Sequence, residues 1–126
     1  MTVDDYLTTN GRHADRLRWV SDGVRDNATL LVERVNMLLA RFGKKREWRS
    51  GFRDVDSNSN VGGAKGSRHM TGQGGDLEDD DRKLVTFITP QILEECGLWM
   101  EAPSSTPTWC HVQIVPPPSG RRIFTP

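Results

Sequence analysis

The chain has 126 residues, a net charge of zero and a hydrophobic fraction of 35%. That length fits one domain with a single small core, here expected to be residues 1–126 with an N-terminal arm over 1–22 and a C-terminal tail over 116–126. The charge balance excludes a strong electrostatic pull toward nucleic acid or an anionic membrane surface. No apolar run approaches the ~20 residues of a membrane span.

The opening "MTVDDYLTTN" is polar and acidic, without the basic and apolar regions of a signal peptide, so synthesis in a cytoplasm without export is expected. Cys96 and Cys110 form no CxxC pair and read as free buried thiols. The four Trp residues read as core or groove wall.

The first clear element is "VRDNATLLVERVNMLLARFG". Val24, Ala28, Leu31, Val35, Leu38 and Phe42 recur at helical spacing, and Arg41 and Gly43 mark its end. "REWRSGF" reads as a short strand. Residues 52–68 carry no periodic apolar pattern, and an unstructured loop of that length is usually functional or disordered. "GGDLED" reads as a short strand, and Asp79–Asp81 as caps of a helix through "RKLVTFI". Apart from Asp76, the acidic run 76–81 reads as a solvated helix start. "TPQILEECG" predicts a helix with Thr89 as N-cap, Pro90 at the first position and Gly97 at the end. "LWME" and "WCHVQIV" predict two strands, and the tail "PPPSGRRIFTP" predicts an irregular surface segment.

Two familiar loops fail on their spacing. "DVDSNSN" places Asp54, Asp56 and Asn58 like a calcium loop, but Ser59 and Lys65 stand where Gly and Glu are needed. "GGAKGS" reverses the Gly-Lys-Ser order of a phosphate loop.

The segment "GSRHMTGQGGDLED" carries the chemistry. His69 and Asp76 lie seven residues apart, separated by glycines that each cost a helix about 1 kcal/mol. A turn must close that spacing. In "WCHVQI", strand alternation sets His111 on one face with Trp109, while Cys110 and Val112 face the other way. His13 has no comparable context and reads as an ordinary surface side chain.

Ser67, His69, Gly72, Gly74 and Asp76 fit S-x-H-x-x-G-x-[small]-x-D, and His111 follows in a W-x-H strand. Residues 50–53, "SGFR", fit S-G-[YF]-R, and Asn60–Ala64 fit the segment that precedes the first motif. Over roughly residues 30–115 the chain resembles the zinc D-Ala-D-Ala carboxypeptidase and L-alanyl-D-glutamate endopeptidase superfamily, whose fold the hedgehog amino-terminal domain shares; the likeness leans to the phage-encoded branch. The resemblance implies an α+β fold with a small antiparallel sheet carrying a zinc site between flanking helices. It also implies His69, Asp76 and His111 as zinc ligands and Arg53 as a catalytic, oxyanion-steadying residue. Ser67 is expected beside the ligands, and Arg53, Ser67 and Trp109 as substrate contacts. Gly74 stands where the superfamily prefers Ala.

Bacterial members carry a carboxylate three residues before the last His, where this chain has Thr108. The hedgehog branch draws its carboxylate from the end of the preceding strand, which corresponds here to Glu101. The expected function is hydrolysis of peptidoglycan stem peptides by a phage lysin or a virion component, acting at the wall after lysis or during entry. The possible partners are then phage structural proteins. A degenerate zinc-stapled module of a phage particle, or a small regulatory domain holding zinc only for stability, are the alternatives.

Overall fold

The computed structural model describes residues 1–9, 20–54 and 66–126. His13, the residues Asp56, Asn58, Ser59 and Lys65 that decide the calcium-loop comparison, most of "GGAKGS", and Asn60–Ala64 lie outside the described residues.

Helix α1 spans Val3–Thr8. Thr2 and Asp5 close a capping box over its first turn, with Asp5 N–H to Thr2 Oγ1 at 3.1 Å and Thr2 N–H to Asp5 Oδ2 at 2.8 Å. Residues 1–9, the start of the expected N-terminal arm over 1–22, pack onto the core. Tyr6 and Leu7 are fully buried, the Tyr6 ring meets Trp48 edge-on at 5.0 Å, and its hydroxyl donates to Gly74 O at 2.6 Å. Two aromatic rings bury more apolar area than so short a helix could hold by propensity alone, which is why the chain's start docks rather than frays.

Helix α2 spans Asp22–Phe42, begun by Ser21, whose Oγ accepts from Val24 N–H, and ended by Gly43 in the left-handed conformation at φ 82°. Ala28, Leu31, Val32, Val35 and Leu38 form its buried stripe, while Val24 and Phe42 close it at the margins.

Strands β1 (Trp48–Ser50), β2 (Gly74–Glu78), β3 (Trp99–Glu101), β4 (Trp109–Gln113) and β5 (Ile123–Phe124) form one sheet in the order β1-β2-β4-β3-β5. All pairings are antiparallel except β3 with β5. This is the expected α+β arrangement. The tail differs from expectation: β5 adds an edge strand, and Phe124 is buried.

Helix α3 spans Lys83–Phe87 and α4 spans Pro90–Cys96, the latter with the expected Thr89 cap, Pro90 start and Gly97 stop. The start of α3 corrects the reading of the acidic run. Asp79 is 1% exposed, and its two carboxylate oxygens accept from Leu84 and Val85 N–H at 2.9 and 3.1 Å. Arg46 and Arg82 flank it. A carboxylate can be buried there because two amide donors and two guanidinium groups replace its water. Both cysteines are free and buried. Among the described residues no helix is long and apolar enough to cross a membrane.

Candidate metal centre

The seven-residue spacing is closed by a turn over Arg68–Gly72. Gln73 and Gly74 N–H both donate to Arg68 O, at 2.9 and 3.1 Å, which folds His69 back over β2. Gly72 occupies φ +76°, and a Cβ there would lie 2.6 Å from Val24 O of α2. Gly72→Ala is therefore expected to cost at least the ~1–2 kcal/mol of the left-handed backbone, a loss of roughly 5 °C or more in melting temperature. A thermal scan with an unchanged midpoint would show that the turn has another way to close.

Gly74 has a different task. A Cβ on it would stand 2.8 Å from Arg68 Cβ, 3.3 Å from the His111 ring and 3.4 Å from Gln113 Cβ. The missing side chain admits the His69 turn and the His111 ring at once.

The "SGFR" segment supports the same centre from the other side. Gly51 O lies 2.8 Å from His69 Nδ1, and Arg53 N–H donates to His69 O at 3.0 Å. The Arg53 guanidinium donates to Ser50 Oγ at 3.0 Å and reaches within 3.6 Å of Asp76 Oδ2. Ser67 Oγ accepts from His69 N–H at 3.2 Å. Its hydroxyl thus sits beside His69.

His69, Asp76 and His111 are all buried, and one ligand atom from each lies within 4.8 Å of the others. Asp76 Oδ1 faces His111 Nδ1 at 2.8 Å and His69 Nε2 at 3.4 Å. Burial pushes the Asp76 carboxyl up, but hydrogen bonds from His111 and His69 and their charge outweigh it and hold the group well below the usual carboxylate range. Burial disfavours the charged imidazole of His111, yet the Asp76 hydrogen bond and charge, with Glu101 adding to them, raise it above its ordinary value.

These residues fit a divalent metal on the chemistry of the donor set. Gly51 O can only accept, so His69 Nδ1 carries a hydrogen and Nε2, beside Asp76, is the nitrogen left for a metal. A carboxylate oxygen and two imidazole nitrogens converge within 4.8 Å, close enough to share one metal ion. Two imidazoles and one carboxylate are the donors that zinc accepts.

Cys110 is not among them. It is fully buried on the opposite side of β4, its Sγ 3.6 Å from Met100 Sδ, and burial raises its thiol far above the ordinary value. Thr108 O accepts Asp79 N–H; Thr108 is absent from the residues lining the cavity over the centre.

That cavity holds about 870 Å³, within the range of small-ligand sites. His69, Asp76, His111, Trp109 and Gln113 line it, with Arg53, Ser67 and Arg68 on the β1 side and Glu101, Phe124 and Pro126 on the β5 side. The sheet register explains the grouping. Ser50 pairs with Asp76 and Asp76 with His111. Trp99 pairs with Gln113 and Met100 with Val112, so the next step sets Glu101 opposite His111. Asp76, His111 and Glu101 thus form one row across β2, β4 and β3. Missing from the sequence expectations were the Gly51 carbonyl and Gln113; only the period-two alternation through Trp109, His111 and Gln113 pointed to the latter.

The fold and this centre are those of a metallopeptidase. The family model described as Peptidase M15 matches residues 5–102, most of the chain, and the protein belongs to that family. The match includes His69, Asp76 and Glu101 and stops before His111, which the register of β4 brings to the site. No curated protein matches the chain.

Proposed function

We propose that the protein is a zinc-dependent peptidase that hydrolyses peptide bonds in the stem peptides of bacterial peptidoglycan, with His69, Asp76 and His111 as zinc ligands. The observation that carries the reading is the row Asp76–His111–Glu101 along one cavity that His69 also lines: two of the three donors for a metal, followed by a carboxylate on the neighbouring strand. Zinc bound there supplies Lewis acidity and a water of lowered pKa.

The chain's own residues supply the rest. Glu101 takes the proton of the attacking water and returns it to the departing amide nitrogen, which cannot leave as an anion. Arg53, oriented by Ser50, steadies the negative charge that grows on the scissile carbonyl oxygen. Ser67 holds the His69 backbone in place, and the Trp109 ring forms part of the wall against which a peptide lies.

Within that activity, the likeness of "SGFR" and "SRHMTGQGGD" to phage endopeptidases supports a phage lysin or a wall-degrading virion component. Phage structural proteins are then its partners. Thr108 in place of the usual carboxylate supports a second reading, a degenerate zinc-stabilised module of a particle.

Incubation of the purified protein with peptidoglycan of several wall types, with and without chelator, should separate them by mass spectrometry of the released fragments. Chelator-sensitive release of stem-peptide fragments is the expected result. Intact peptidoglycan in the presence of zinc-loaded protein would favour the degenerate module.

A further inference from the structure

Gln113 has no part in the motif that marks the ligands, yet it is 5% exposed and in contact with one of them. Its side-chain Nε2 donates to Val115 O at 2.9 Å. A backbone carbonyl only accepts, so the amide cannot be turned round, and Oε1 is the atom that meets His111 Nε2 at 2.9 Å. An oxygen acceptor at that nitrogen requires a hydrogen on it. The other nitrogen, Nδ1, faces Asp76 Oδ1 at 2.8 Å and holds a hydrogen there while no metal is bound, so a metal that takes Nδ1 displaces that hydrogen and leaves the one on Nε2 in place.

We infer that Gln113 is a positioning residue for the metal centre: the chain Val115 O–Gln113–His111 selects the His111 tautomer that binds metal through Nδ1. The inference rests on the metal reading above. It has a counterpart on the first ligand, where Gly51 O plays the same part for His69. The two ligands differ in what enforces them, a backbone carbonyl for His69 and a replaceable side chain for His111. Such partners of a ligating imidazole typically carry 10–100-fold of metal affinity.

Two further features make room for the device. Gln113 pairs across β2–β4 with Gly74, and a Cβ at Gly74 would press on both Gln113 Cβ and the His111 ring. Buried beside the ring, the amide meets little competing water, so its hydrogen bond to the ring is decisive.

The test compares zinc affinity, by chelator competition, in the wild type, Gln113→Met and Gln113→Glu. Met keeps the length and loses the acceptor; Glu keeps the acceptor. Gln113→Met should bind zinc about 10–100-fold more weakly, and Gln113→Glu should bind at least as tightly as the wild type. Melting temperatures of the metal-free proteins check that the variants fold. Equal zinc affinity in the wild type and Gln113→Met would overturn the inference while leaving the metal centre standing. A wild type that takes up no zinc would overturn both.

Should Gln113→Met fail to fold, the wild type alone decides. Long-range proton–nitrogen NMR of the zinc-loaded protein should show His111 protonated at Nε2 and metal-bound at Nδ1. Coordination through Nε2 would refute the assignment.

Discussion

Glu101→Gln is expected to lower hydrolysis of wall peptides by about 10²–10⁴-fold, the usual worth of a positioned acid–base group, with zinc content and melting temperature close to wild type. The amide is nearly isosteric with the carboxylate but cannot accept the water's proton or return it. Glu101 ends β3 at the cavity wall and is only partly buried, so its replacement opens no void in the core. Its place opposite His111 follows from the β3–β4 register, and its charge adds to the larger effect of Asp76 in offsetting burial and raising that imidazole's pKa. Thr108, the residue at the position where a carboxylate stands in bacterial members, has no proton-accepting group of suitable strength. Steady-state rates on isolated stem peptides, with zinc measured on the same samples, check the prediction. Full activity in Glu101→Gln would reject Glu101 as the base.

Removal of the metal is expected to have the largest effect on stability. His69→Ala should lose stoichiometric zinc, and chelation of the wild type should lower its melting temperature by roughly 10 °C, because a ligand at hundredfold excess over its Kd contributes about 2.7 kcal/mol to a domain of this size. The reason lies in the groups left behind. Asp76 is buried against two imidazoles and the Arg53 guanidinium, and a metal that neutralises the carboxylate and takes both imidazole lone pairs stabilises all three at once.

In the chelated protein a proton on His111 serves instead. Its folded pKa is raised above the ordinary 6.5, so that contribution is complete below about that value and is lost as pH rises through the folded pKa. Asp76, whose pKa is depressed, contributes above its ordinary 3.8 and is lost as pH falls through the lower folded value. Zinc competes with the His111 proton, so the gain in melting temperature on adding zinc should grow as pH rises through the raised His111 pKa. Calorimetry with and without zinc across that range measures it. A gain independent of pH, or full zinc occupancy in His69→Ala, would place the metal elsewhere.

Much of the fold was legible in the residues because its signals are local. The periodic stripe and Gly43 mark α2, and Thr89, Pro90 and Gly97 mark α4, since caps and stops depend only on backbone dihedrals and side chains a few positions away. The motif residues His69, Asp76 and His111 were legible for another reason. They follow a superfamily motif whose likeness implies the ligand set, and Gly72 at φ +76° is where the chain doubles back between the first two.

What the sequence determined by itself is therefore helices α2 to α4, the main strands and, through the motif's likeness, the candidate donor set. Tertiary structure alone decided the rest. Asp79 looks like a solvated carboxylate in a run of five acidic residues between 76 and 81, and only the arrival of the Leu84 and Val85 amides and of Arg46 makes its burial affordable. The N-terminal residues look like an arm until Tyr6 finds Trp48 and the Gly74 carbonyl, 42 and 68 positions away. Phe124 joins the sheet only because β3 offers it an open edge. Glu101 faces His111, and Gln113 holds the far side of its ring, because strand register pairs residues by their place in the ladder. Register is a property of the assembled sheet, and no single segment carries it.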